Sequence, residues 1–533
     1  MLRSRTFRDG LSGVLAVAVA LGIAELVAGL TGTIAPVIAV GGLLIDNAPT
    51  WFTHLVIDAL GTRDKPVLIL FVTTATLASG AAAGLLQRSR PPAGQIIFGA
   101  IGVLGALAAV VETSASTTLA LLIAAFGPII GATLGWQALR LLLLAGTLDE
   151  PTTELAASDA APAETPPAQS MTRKVPGRRA FLGFAAAAAG VSATSFVAGR
   201  QLAGSSVDVD EQRRALALDA GPQGAAGGLG LEGLSPLITP NDDFYRIDVS
   251  LITPRVDLRT WRLRVTGMVD RPLDLNFDQL LAMPSREEII TLSCVSNEVG
   301  GNLVGNARWL GVPLADILKQ AGVKPGATQL VGRSVDDFTV GFPTEVALDG
   351  RPAMVAYAMN GEALPGPHGF PARLVVPGLY GYVSATKWLT EIELTTWEAF
   401  DAYWVPRGWS KTGPIKTQSR IDVPRDGRTV KPGRAAIAGV AWAGDRSISN
   451  VEVRAYIKGT APDAATWMSA RLSEALSGNA WRQWVVEWDA QPGEYELEVR
   501  ATDGRSETQT SKRQRSDPDG ATGWHRIDVR VRA

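Results

Sequence analysis

The stretch Thr291-Leu292-Ser293-Cys294-Val295-Ser296-Asn297 holds the only cysteine among 533 residues, and a single thiol cannot close a disulfide within its own chain. Glu288 to Ser293 is an apolar, β-branched run that predicts a strand, and Val295 to Gly301 is small and polar, which predicts a turn. The pattern delivers a sulfur to the end of a strand, where a metal or substrate can reach it. A lone cysteine has three ordinary readings: a buried small hydrophobe, a nucleophile activated by a neighbouring base, or a single soft metal ligand. Only three histidines are present, and His54 lies among apolar segments far upstream, which weakens the case for a nucleophile.

The composition divides the chain. Residues 11–30, 66–86, 94–111 and 118–145 are long runs with few or no charges, each near the roughly 20 residues that a bilayer-spanning helix needs. They predict an all-α transmembrane region over 1–146 with about four spans. Residues 34–45 are a shorter apolar run that ends at Asp46, Asn47 and Pro49, as in a re-entrant or interfacial segment, so the span count is open by one. Arg3, Arg5 and Arg8 before the first span, and Arg88 and Arg90 between the second and third, belong in the cytoplasm by the positive-inside rule. Residues 147–177, rich in Ala, Pro, Thr and acids, read as a flexible cytoplasmic linker. Then come Arg178-Arg179-Ala180-Phe181-Leu182 and an alanine-rich apolar run, which read as a fifth anchor over 178–199. The same order resembles a twin-arginine export signal placed inside the chain. In both cases the residues from about 200 onward lie outside the cytoplasm. Residues 200–234 read as a tether, 235–405 as a soluble catalytic body, and 410–533 as a run of alternating strands that predicts a β-sandwich. A formal charge of −2 argues against a nucleic-acid partner.

Further motifs follow the cysteine in order. They are Gly300-Gly301; Asn306-Ala307-Arg308-Trp309-Leu310-Gly311-Val312-Pro313-Leu314; His368-Gly369-Phe370-Pro371-Ala372-Arg373-Leu374-Val375-Val376-Pro377-Gly378; and Lys387-Trp388-Leu389. Together, from about Asn241 to the C-terminus, they resemble the sulfite oxidase family of molybdopterin enzymes. The resemblance implies a multidomain protein in which an α+β molybdopterin domain follows the helical bundle and precedes an immunoglobulin-like β-sandwich of the kind that dimerises. It implies that Cys294 is the molybdenum ligand, and that the metal moves an oxygen atom to or from a small sulfur compound. Asp242, Tyr245 and Arg246 fall in the loop that wraps the pterin, and Arg246 is alternatively a substrate-anion arginine. Ser334 matches a cofactor-binding hydroxyl, and its bland alternative is a surface serine. His368, Arg373 and Lys387, with Ala385 and Thr386 beside the lysine, match the donors that an anionic pterin phosphate needs. Tyr357 matches the active-site tyrosine, against the alternative of a core tyrosine near an Asn-Gly turn. The next histidine of the sulfite oxidase pattern is missing, which puts a strict sulfite site in doubt. His525 reads as a satisfied structural histidine.

No Cys-x-x-Cys-His is present, so neither covalent c-type haem nor a cysteine-held iron–sulfur cluster is expected, and with His54 and Met1 as the only histidine and methionine of the membrane part no intramembrane haem is expected either. Electrons would then pass to a separate redox partner, a quinone or a cytochrome, and the helices serve as an anchor. Alternatives are a sulfoxide or N-oxide reductase of the same fold, and a membrane-tethered binding protein that has lost the chemistry. The intact Cys294, Arg373 and Lys387 favour an enzyme.

Overall fold

The computed structural model describes residues 5–49, 52, 56, 60, 63–113, 117–147, 178–205, 207–216, 218 and 227–532. His54, Arg3 and all but the first residue of the expected linker lie outside them. The chain forms two units, Met1–Ser206 and Val207–Ala533.

The first unit is helical: α1 (Arg5–Thr31), α2 (Pro36–Asn47), α3 (Asp64–Leu86), α4 (Pro92–Val111), α5 (Thr118–Thr147) and α6 (Arg178–Ser205). All but α2 are long and apolar enough to cross a membrane. Small residues let α1 sit between its neighbours at backbone contact, the packing mode that works where burial of apolar area gives no drive. A Cβ on Gly13 would lie 1.8 Å from the carbonyl oxygen of Gly80 on α3, and one on Gly131 of α5 would lie 2.4 Å from that of Ala20. On the third side Ser192 Oγ donates to Ala18 O (2.7 Å) and Arg200 of α6 pairs with Glu25 (3.6 Å). Contacts of 13 with 80 and 16 with 135 make α1 antiparallel to α3 and α5, whereas contacts of 22 with 192 and 29 with 199 make it parallel to α6.

The second unit begins with a helix. The stretch expected to be a bare tether contains α7 (Val209–Ala215), N-capped by Asp208, whose carboxylate accepts from Glu211 N–H (2.9 Å). Next come β1 (Arg262–Gly267), β2 (Leu273–Asn276), α8 (Phe277–Leu281), β3 (Arg286–Ser293), β4 (Val304–Pro313), α9 (Leu314–Ala321), β5 (Gln329–Ser334), β6 (Thr339–Pro343), β7 (Met354–Met359), β8 (Glu362–Ala363), β9 (Arg373–Val375), α10 (Gly381–Ser384) and β10 (Leu389–Thr395). They build two sheets, β2-β1-β10-β5-β6 and β3-β4-β7-β8, with β9 paired to β7. The amphipathic α9 buries Leu314, Ile317, Leu318 and Ala321 and stops at Gly322, which takes φ 72°.

The C-terminal strands are β11 (Gln418–Val423), β12 (Thr429–Val430), β13 (Gly433–Trp442), β14 (Ile448–Ile457), β15 (Met468–Ser469), β16 (Arg471–Leu472), β17 (Arg482–Ala490), β18 (Gly493–Asp503) and β19 (His525–Val531). They form sheets β11-β13-β17-β16 and β12-β19-β18-β14-β15, whose inward residues, among them Ile437, Trp484, Val453, Leu497 and Ile527, share one core. These sheets also brace β3. Thr291 N–H donates to Asn479 O, Trp481 N–H donates to Thr291 Oγ1 (2.7 Å), and the Thr291 hydroxyl donates to Asn306 Oδ1 (2.9 Å). His525 Nδ1 accepts from Ile421 N–H (3.0 Å), in line with a structural role.

Because Gly13 leaves no room for a side chain, Gly13→Leu should separate α1 from α3. A thermal-unfolding midpoint of the detergent-solubilised chain at least several degrees below wild type, the scale expected when overpacking costs about 1–3 kcal/mol or more, checks this.

Candidate cofactor site

At the end of β3 the backbone turns. Cys294 N–H donates to Leu303 O (2.9 Å), the Cys294 carbonyl accepts from Asn297 N–H (3.1 Å), and Asn297 Oδ1 accepts from Leu303 N–H (2.8 Å). The thiol is buried, and burial pushes it above its usual range. The N–H and hydroxyl of Ser296 and the N–H of Val295 are aimed at the sulfur and oppose that shift without overcoming it. Two phenols lie within electrostatic reach of this sulfur. Tyr245 and Tyr380 are both held protonated, first by burial, Tyr380 at about 12. Gly381, the first residue of α10, sits beside both groups: a Cβ on it would stand 3.9 Å from both Tyr245 Oη and Ser293 O.

Tyr245 also lies in the field of Arg373, which connects the thiol to a second group of side chains. Arg373 on β9 is buried at 5% exposure. Its guanidinium donates to His368 O (3.1 Å) and stacks over Trp309 (5.0 Å), and among the described residues no carboxylate pairs with it. Burial lowers it to about 10. Lys387 Nζ donates to Asp248 Oδ2 (2.8 Å) and Pro367 O (3.2 Å), and burial outweighs the Asp248 charge to bring it down to about 8. His368 is lowered to about 4 by burial and then by Arg373, so it is neutral at pH 7. Its Nε2 lies 3.0 Å from Asn241 O, an acceptor only, so that nitrogen carries the proton. Arg246 is 43% exposed, pairs with Asp248 (3.0 Å), and adds its charge to those acting on His368 and Lys387.

Polar atoms without partners mark the same region. Asp336 Oδ2 and Thr386 Oγ1 are buried with no hydrogen-bond partner. The other Asp336 oxygen accepts from the Ser334 hydroxyl, and burial raises the carboxyl to about 6. A buried guanidinium with no anion, an orphaned hydroxyl and an orphaned carboxyl oxygen are what a polar, anionic organic group would satisfy.

Of the residues expected from sequence, Tyr245 and Cys294 meet, as do Arg246, His368, Arg373 and Lys387. Ser334 is tied to Asp336. Thr386 is fully buried, and Ala385, whose N–H donates to Gly381 O (2.9 Å), closes α10. Asp242 is exposed on its turn. The Tyr357 ring packs edge-on to Phe277 (6.3 Å), in the apolar cluster that also contains Val295 and Tyr380. On β7 its neighbour Ala356 pairs with Arg373, so Tyr357 lies on the opposite face of the strand from Arg373. Asp248 and Asp336 were not expected. A buried lysine needs a counter-ion, and Asp248, two residues beyond Arg246, was the nearby signal for one.

Residues 250–404 match the oxidoreductase molybdopterin binding domain model. They are a molybdopterin binding domain. This domain holds His368, Arg373, Lys387, the thiol and Tyr380, whereas Tyr245 and Arg246 lie just ahead of it. Human mitochondrial sulfite oxidase is 31% identical over 308 residues, 49% of this chain and 55% of that protein, so the chain spans about half the length of that relative. Sulfite oxidase of Arabidopsis thaliana is 29% identical over 48% of this chain and 77% of its own length. Among solved structures, the sulfane dehydrogenase SoxCD of Paracoccus pantotrophus matches at a TM-score of 0.48 and 23% identity, covering 61% of this chain and 91% of that one.

The Asp336 carboxyl generates a prediction with a definite sign. A folded pKa of about 6, above its ordinary 3.8, means that its protonated form contributes stability at low pH, which is lost as pH rises through 6. Asp336→Asn in the cofactor-free protein should therefore be more stable than wild type by up to about 3 kcal/mol at pH 8. Denaturant unfolding should show this gap closing below pH 4.

Proposed function

We propose that this protein is a membrane-anchored molybdenum oxidoreductase that moves an oxygen atom to or from a small sulfur compound, with sulfite as the first candidate. The observation that carries this is Arg373, a buried guanidinium with no counter-anion among the described residues, sharing Tyr245 as an electrostatic neighbour with the thiol at the end of β3.

Arg373, His368, Thr386 and Lys387 would hold the anionic part of the pterin, with Ser334 and Asp336 at its edge. Asp336, raised to about 6, can donate a hydrogen bond as a neutral acid as well as accept one. Cys294 would be the protein's single ligand to molybdenum, and a soft thiolate suits that position. Bound there, the group supplies a two-electron metal centre competent for oxygen-atom transfer. Ser296 and Val295 stabilise the sulfur as thiolate through their aimed N–H and O–H groups. Tyr245 and Tyr380, held protonated, can donate to an oxyanion beside the sulfur. The resemblance of residues 410–533 to an immunoglobulin-like domain supports a homodimer through the C-terminal sheets. The arginines flanking the spans support a cytoplasmic N-terminus, and five spans then place residues from 207 onward outside the cytoplasm, with the twin-arginine-like motif as the export signal. One cysteine and no Cys-x-x-Cys-His support electron exchange with a separate quinone or cytochrome.

The decisive test is on protein purified from a cofactor-competent host. It should contain about one molybdenum per chain and reduce an artificial acceptor with sulfite; reduction of methionine sulfoxide instead would move it to the sulfoxide reductases, and absence of molybdenum would make it a binding protein. Cys294→Ser should leave a folded protein with turnover at least about 100-fold lower. A variant that kept full turnover would refute the ligand assignment.

A further inference from the structure

On the reading that this pocket holds a molybdenum pterin, we propose that Arg213, on the helix ahead of the molybdopterin binding domain, is a positioning residue for the loop that grips the cofactor, acting through Glu362 and Asn241. Residues 207–216 and 218 form a strap across that loop. Gln212 clasps the body with both amide atoms: its Nε2 donates to Asp257 Oδ1 (2.9 Å) and its Oε1 accepts from Leu258 N–H (2.8 Å). Val209 lies against Gly366, and Leu216 and Leu218 pack on the apolar cluster that contains Phe244, Trp309 and Phe370. Arg213, with its side chain 18% exposed, donates to Ala363 O (3.1 Å) and reaches Glu362 Oε2 (3.4 Å).

The contacts continue from there into the site. The second Glu362 oxygen accepts from Asn241 Nδ2, Asn241 Oδ1 accepts from Asn360 Nδ2 (2.8 Å), and Asn241 O accepts from His368 Nε2 (3.0 Å). The same loop offers Gly366 O to Trp388 Nε1 (2.9 Å), Pro367 O to Lys387 and His368 O to Arg373. Two donors of the cofactor group, Lys387 and Arg373, and the neighbouring Trp388 are thus aimed by backbone carbonyls of one short segment, and the strap contacts that segment through Val209 and Arg213. Only residues 206–208 separate the end of α6 from α7, so the element that fixes the cofactor loop adjoins the last apolar helix in sequence. Arg213 touches none of the reacting groups and acts through others.

The test uses the full chain, loaded and purified in detergent, and follows loss of molybdenum and of oxidised-pterin fluorescence over time at a fixed temperature. Arg213→Ala and Glu362→Gln should each release the pterin about tenfold faster, the scale of one charge-assisted hydrogen bond. Their double variant should release it no faster than the singles, Arg213→Lys should recover part of the loss, and Arg214→Ala, its neighbour, should match wild type. In unloaded protein, amide exchange over residues 360–370 should quicken in Arg213→Ala. Release from Arg213→Ala at the wild-type rate, or effects that multiply in the double variant, would overturn the strap while leaving the cofactor assignment intact. A wild-type chain that carries no pterin would overturn both.

Discussion

A guanidinium sealed in a protein interior without an anion is costly, because desolvation takes away hydration that a carbonyl contact and an aromatic face return only in part. Arg373 is in that position, between His368 O and the ring of Trp309, and its lowered pKa records the cost. The rest of the domain is arranged to keep it there. β9 fixes its backbone against β7, Trp309 is locked by its own indole N–H to Ile290 O (3.1 Å), and Phe244 caps the ring edge-on. An organic anion entering beside Arg373 would supply the missing charge. The raised Asp336 carboxyl lies in the field of Lys387, the second cation of the group.

The thiol depends on a different support. β3 becomes more buried towards Cys294, and its inner end is held at Thr291 by Asn306 of β4 and by Asn479 O and Trp481 N–H of the loop that joins β16 to β17. Arg420 adds a bond to Gly301 O (2.7 Å) on the turn that follows the cysteine. The C-terminal sheets contribute no ligand themselves, yet they fix the strand that presents the sulfur. Buried, fully satisfied polar networks of this kind specify one arrangement of neighbouring elements.

Much of this was legible from residue order. The strand into Cys294, the polar turn after it, the amphipathic helix Leu314–Ala321, the apolar spans and the alternating C-terminal strands follow from periodicity and turn chemistry, which are local. The cation group was legible because His368, Arg373 and Lys387 fall close together in the chain. The facing of Tyr357 could not be read from spacing, because it depends on register: one residue along β7 separates the side of Arg373 from the apolar cluster. Tyr380 and Asp248 were missed because their roles come from contacts that sequence spacing does not reveal. Residues 209–215 looked like tether because a seven-residue polar helix has almost no apolar period, and its stability comes from docking through Gln212 and Arg213 rather than from its own pattern.

The central claim is that Cys294 binds molybdenum. X-ray absorption at the molybdenum edge of the purified protein tests it directly. The account predicts a sulfur shell around the metal that loses one scatterer in Cys294→Ser while pterin content stays the same. A shell unchanged by that substitution, or a wild-type protein without molybdenum, would contradict it.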